Sequence, residues 1–188
     1  VEIIFIRHGH GEHLNDYPHC LNTVHPGLTA CGEQQVIELS KKLEINDEDL
    51  VIVSPTKRTI ETAKILKGNT KFIISPLVGP RMFPQCKELP VFTCDQIYLK
   101  SELSSTYSGF DIVDFNFNCW ETGINTINER QFEDYAKQLI NWIKTKNRKI
   151  YIISHDGTIT HYRLLLGEKN LTRHNFLGEA GHYCMSVY

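Results

Sequence analysis

Three short stretches hold the residue types that could do chemistry: Arg7-His8-Gly9, Ser54-Pro55-Thr56-Lys57-Arg58 and Ser154-His155-Asp156-Gly157. Each follows an apolar run, and together they supply two arginines, two histidines and a carboxylate at three such run ends. A guanidinium stays charged at any working pH, and its planar fork matches phosphoryl oxygens bidentately. A neutral imidazole can attack phosphorus in line, giving a phosphohistidine that water hydrolyses in a second displacement. A second histidine, held as a cation, can stabilise the equatorial oxygens as charge builds in the transition state. The set reads as apparatus that makes His8 a nucleophile toward a phosphoryl group.

The elements that must position these groups follow from periodicity. Ile3-Ile4-Phe5-Ile6, Leu50-Val51-Ile52-Val53, Phe72-Ile73-Ile74 and Ile150-Tyr151-Ile152-Ile153 predict short strands that are apolar on both faces, and 183–188 predicts a last one. Between them, helices are expected over about 30–44 with Thr29 as cap, from Ser54-Pro55 to Gly68, over about 130–145, and from Asp156-Gly157 to Gly167. Strands of this kind alternating with helices predict a three-layer α/β/α sandwich on a mainly parallel sheet. In such a sheet the three reactive strand ends share one edge, where these folds bind ligands. Helix N-termini after Pro55 and Gly157 would add backbone donors there. Residues 75–128 break the periodicity with four prolines and a crowd of aromatics, and are expected to form a partly helical lid or substrate-facing excursion within one domain spanning 1–188.

Composition narrows the function classes. At 188 residues, 41% of them hydrophobic, the chain can bury a real core. Its net charge of −2 argues against nucleic acid as a partner, and no apolar run approaches the roughly 18 residues that a membrane helix needs. Six scattered cysteines without a C-x-x-C pair suggest free thiols, and with no signal-peptide pattern a cytoplasmic location is expected. His8, His10 and His13 form a loose H-x-H-x-x-H loop with no acidic cluster or matched frame, so no metal site is expected.

Arg7-His8-Gly9, the run Gly27 to Gln35, Ser54 to Ala63 and Ser154-His155-Asp156-Gly157 resemble, in order, the blocks of the histidine phosphatase superfamily, in its phosphoglycerate mutase-like branch. The resemblance spans residues 3 to about 166 and is loose over 75–128. It implies a phosphorylated His8, a phosphate pocket of Arg7, Arg58 and His155 with Gly9 beside it, and no metal or other cofactor. Asn15 is carried over as a phosphate ligand, although it sits one residue late and His10 stands where the family has a Glu.

The leaving-group proton usually comes from a Glu before an Arg after the third strand. Here Pro80 takes that place and Arg81 follows, read as a substrate-facing cation. Asp156 is then the first candidate donor, because the acid phosphatase branch uses an Asp directly after its second His; Glu88 and Glu12 are reserves. The expected activity is metal-independent hydrolysis of a small phosphomonoester. A mutase or a non-catalytic module that binds a small phosphorylated ligand or inorganic phosphate are the alternatives.

Overall fold

The computed structural model describes residues 1–67 and 71–188. Gly68, the expected stop of the second helix, lies outside the described residues. In chain order the main elements are β1 (Glu2–Arg7), α1 (Ala30–Ser40), β2 (Leu50–Val53), α2 (Lys57–Lys67), β3 (Phe72–Ile74), α3 (Lys100–Thr106), β4 (Phe110–Ile112), α4 (Glu129–Lys144), β5 (Ile150–Ser154), α5 (Asp156–Leu165) and β6 (His182–Ser186). The strands form one sheet in the order β4-β3-β2-β5-β1-β6. All neighbours are parallel except β6, which runs antiparallel to β1.

Both faces of the sheet are covered, as the two-sided apolar strands require. Ile4, Ile6, Val51, Val53, Tyr151 and Ile153 point to one side, against Val36 and Leu39 of α1, Ile60 and Ala63 of α2 and Leu103 of α3. Ile3, Phe5, Ile52, Ile150 and Ile152 point to the other, against Phe132, Leu139 and Ile143 of α4 and Ile159 and Tyr162 of α5. Burying each such side chain is worth about 1.5–3 kcal/mol relative to leaving it exposed. The sandwich is therefore three-layered, as expected.

Local signals held where they were strong. Thr29 caps α1 by accepting from the Gly32 N–H at 3.1 Å, and Asn128 caps α4 in the same way. Gly167 follows α5 at φ +107°, a conformation that suits only glycine. Two expectations need correction. Ser54-Pro55 does not open α2, which starts at Lys57; the Ser54 hydroxyl is drawn off to His155 instead. The 75–128 segment is more than an excursion, since it contributes α3 and the outer strand β4, paired with β3. Three residues are too few for a period of two to show. All six cysteines are free thiols. Among the described residues, no helix is long and apolar enough to cross a membrane.

Candidate active site

Parallel pairing places the ends of β2, β5 and β1 side by side. His8 emerges from β1 with its N–H on the Ser154 carbonyl of β5 and is only 3% exposed. Its ring is oriented by two bonds that agree on the tautomer. Nδ1–H donates to the Gly9 carbonyl at 2.7 Å, and Nε2 accepts from Arg58 Nε at 3.3 Å. Nε2 is thus the unprotonated nitrogen, and its lone pair is held by the Arg58 Nε–H. Burial and the nearby Arg58 guanidinium hold His8 well below the ordinary histidine range, so it is neutral and competent as a nucleophile.

Gly9 serves this placement. A Cβ there would lie 2.6 Å from the Gly32 carbonyl oxygen, so only glycine lets the loop press against α1. Its N–H donates to Thr62 Oγ1 at 3.3 Å.

Arg58 projects from the first turn of α2 and is 1% exposed. Besides His8 it donates through Nη1 to the Cys94 carbonyl at 2.8 Å, and through Nη2 toward Asp95 at 3.3 Å and His155 Nδ1 at 3.4 Å. His155 directs its other nitrogen, Nε2, to Ser54 Oγ at 2.8 Å. The His8 and His155 rings stand 5.2 Å apart. His155 was expected as a cation. Burial, then Arg58 and His8, push it well below the ordinary histidine range, so the neutral form is favoured.

Arg7 reaches the same region, with Nη1 on the Leu177 carbonyl at 2.7 Å and Nη2 3.2 Å from Asp156 Oδ2. Its Nε is buried without a hydrogen-bond partner, a donor suited to an anion. Asp156 opens α5, its Oδ1 accepting from the Gly157 N–H at 2.7 Å and its Oδ2 ion-paired with Arg7.

Four other expected residues stand differently. Asn15 is exposed on the loop, where its backbone closes a short 3-10 turn. Arg81 is buried in the cavity lining, and its guanidinium holds the Ile124 and Ile127 carbonyls at 2.6 and 2.8 Å and the Glu129 carboxylate at 3.1 Å, and stacks on Phe132. Its Nη1 and Nη2 donors are thus spent within the insertion, while its Nε is buried without a partner among the described residues. Glu12 spends its carboxylate on the Gly27 N–H, and Glu88 is exposed on the insertion.

Two residues that sequence reading missed stand in the cluster. His13 is 8% exposed, 5.8 Å from His8, with a buried Nδ1 that has no partner. Burial, Arg58 and Arg7 bring its pKa down to about 3. His10, by contrast, turns away to Thr29. Asp95 ends a short 3-10 turn in the insertion and meets Arg58. Only the position of His13 in the histidine loop hinted at the first; nothing local marked the second.

A cavity of about 230 Å³ opens beside His155, Asp156 and Asp95. One wall is the segment 80–83, which packs so closely on α5 that a Cβ on Gly157 would sit 2.2 Å from the Arg81 carbonyl. Ser154 and Thr158 fix the preceding turn by donating to the Val78 and Gly79 carbonyls. Phe83, Leu89, Phe92, Phe176 and Tyr17 supply the apolar lining, with Arg173 at its margin.

A family model for the histidine phosphatase superfamily (branch 1) matches residues 3–181. The chain belongs to this superfamily. No curated protein sequence matches it. Among solved structures, it resembles the ecdysone phosphate phosphatase of Bombix mori in complex with tungstate (TM-score 0.66, 15% identity, 99% of this chain and 89% of that one). It also resembles the alpha-ribazole phosphatase of Shigella flexneri (TM-score 0.64, 19% identity, 100% and 91%). A third is a phosphoserine phosphatase mutant of Entamoeba histolytica with phosphoserine (TM-score 0.61, 21% identity, 97% and 89%). At these identities the likeness is one of fold. In this histidine phosphatase the pocket's positive charge comes from Arg7 and Arg58, set around three neutral imidazoles.

Proposed function

We propose that this chain is a metal-independent phosphatase that hydrolyses a small phosphomonoester through a phosphohistidine on His8. The observation that carries the reading is the tautomer of His8, whose unprotonated Nε2 keeps its lone pair on the Arg58 Nε–H. A phosphoryl group held by Arg58 and Arg7 meets that lone pair directly. The N–P bond forms as the P–O bond to the alcohol breaks, and water then displaces His8 to release inorganic phosphate. His155, protonated once the phosphate charge is present, donates to a phosphoryl oxygen.

The test is brief exposure to a phosphomonoester labelled on phosphorus. Acid-labile, base-stable label should map to His8 and vanish in His8→Asn along with turnover. Full activity without label, or in His8→Asn, would end the proposal. Hydrolysis is preferred here to mutase-type transfer; Tyr17 and Leu89, in the cavity lining, are exposed, so the cavity beside His155 is open to water. Free phosphate, and no isomerised ester, is the expected product from phosphoglycerates.

The lining also favours an apolar or aromatic alcohol over a polyhydroxylated acid. Along a series of primary alkyl phosphates, kcat/KM should rise roughly two- to fourfold per added CH2 until the cavity is filled, as apolar burial predicts. Phe92→Ala should flatten the rise. A series that is flat in the unsubstituted chain contradicts this part of the reading.

A further inference from the structure

Cleaving an alkyl phosphate needs a proton for the departing oxygen, because an alkoxide is a poor leaving group in neutral water. At the position where the family resemblance calls for a Glu this chain has Pro80, which lines the cavity but has no proton to give. Two carboxyl groups line the same cavity, Asp156 and Asp95. They are bonded differently. Asp156 Oδ1 accepts from the Gly157 N–H, and its Oδ2 is ion-paired with Arg7 Nη2 at 3.2 Å. Asp95 commits only Oδ1, to Arg58; its Oδ2 has no hydrogen-bond partner among the described residues, and its side chain is 28% exposed.

The placement of Asp95 is fixed by the phosphate-binding group itself. The turn that carries it, Thr93–Asp95, is docked on Arg58 through the Cys94 carbonyl at 2.8 Å. It is tied back to the start of α2 by the Tyr98 N–H on the Pro55 carbonyl at 2.8 Å. Arg58 meets His8 through Nε and Asp95 through Nη2. One guanidinium thus bonds both His8 and the Asp95 carboxyl, and leaves the second oxygen of that carboxyl with a free lone pair at the cavity.

We propose that Asp95 is the general acid and base of this site, an assignment that rests on the phosphohistidine reading. As His8 Nε2 bonds to phosphorus and the P–O bond to the alcohol breaks, the Asp95 carboxyl passes its proton to the departing oxygen. The resulting carboxylate then takes a proton from the water that attacks the phosphohistidine. The N–P bond breaks with its electron pair returning to Nε2, and inorganic phosphate leaves. Burial, with the charge of Asp156 adding to it, pushes Asp95 up from the ordinary carboxylate range against the pull of Arg58. The bound phosphate dianion pushes it the same way. Asp156, in turn, orients Arg7.

The experiment compares two substrates whose leaving groups differ in their need for a proton. Butyl phosphate requires one, whereas 2,4-dinitrophenyl phosphate departs as a stable anion. In Asp95→Asn, phosphoenzyme formation at saturating substrate should slow about 100-fold or more with butyl phosphate and less than about fivefold with the dinitrophenyl ester. The second rate shows that the variant is folded with Arg58 in place. Equal losses with both substrates would reduce Asp95 to a positioning residue for Arg58 and overturn the proposal. So would the selective loss appearing in Asp156→Asn instead. Absence of any phosphoenzyme in the unsubstituted chain is a separate result, which defeats the phosphohistidine reading itself.

Discussion

Arg58→Met is expected to form phosphohistidine about 10³-fold more slowly than the unsubstituted chain, with a much smaller loss of affinity for inorganic phosphate. The guanidinium is 1% exposed and touches His8, His155, Asp95 and the Cys94 carbonyl. On the phosphohistidine reading it would act on phosphoryl oxygens from a buried position, where charge developing in the transition state is felt most strongly. Lysine should not restore the rate, because a single ammonium cannot face Nε2 of His8 and the Asp95 carboxylate at once. The same substitution removes the cation that helps hold His8, His13 and His155 neutral, so all three should titrate at higher pH. Rapid-quench labelling gives the rate, and NMR titration of the imidazoles gives the shifts. A rate loss under about tenfold would place the transition-state charge elsewhere.

Acidification should destabilise this protein before its carboxylates titrate. His8, His13 and His155 are buried and neutral when folded, with pKa values below the ordinary histidine value of 6.5. Unfolding restores that value, so below pH 6.5 the unfolded chain binds protons that the folded one does not. Stability then falls with falling pH. With a folded pKa of about 3, His13 alone costs about 2 kcal/mol at pH 5. His8 and His155 add loss of the same sign, as do His25 and His161, which are also depressed. Against a typical domain stability of about 5–15 kcal/mol this is a large effect. The expected observation is a Tm that drops steeply between pH 7 and 5, by less in His13→Gln, and by less again with saturating phosphate, whose charge opposes the depression. A Tm independent of pH over that interval would contradict the buried neutral cluster.

How much of this was readable beforehand depends on the range of the determining contacts. Arg7, His8, Arg58 and His155 were legible because each sits where an apolar run stops or just beyond, and parallel pairing carries those ends to one edge. The contacts of the Arg81 guanidinium were not legible, because nothing near it in sequence marks the carbonyls that it holds. Its direction is set by carbonyls at Ile124 and Ile127. Asp95 and His13 escaped for the same reason: each lies on a three-residue 3-10 turn and gains its meaning from Arg58, which pairs with Asp95 across 37 positions. Strand β4 was too short for its alternation to register.

The position of β1 in the sheet has a consequence for the order in which the chain acquires its structure. Both of its neighbours, β5 and β6, lie far downstream, with Ile3 paired to Ile150 on one side and to Met185 on the other. As the chain leaves the ribosome, Ile3-Ile4-Phe5-Ile6 has no strand to pair with until residue 150 has been made. At about 5–20 residues per second that is an exposure of roughly 7–30 s. An unpaired apolar strand of high β-propensity is a hazard for association over that interval. The strand that ends beside His8 is thus synthesised well before either of the strands that enclose it.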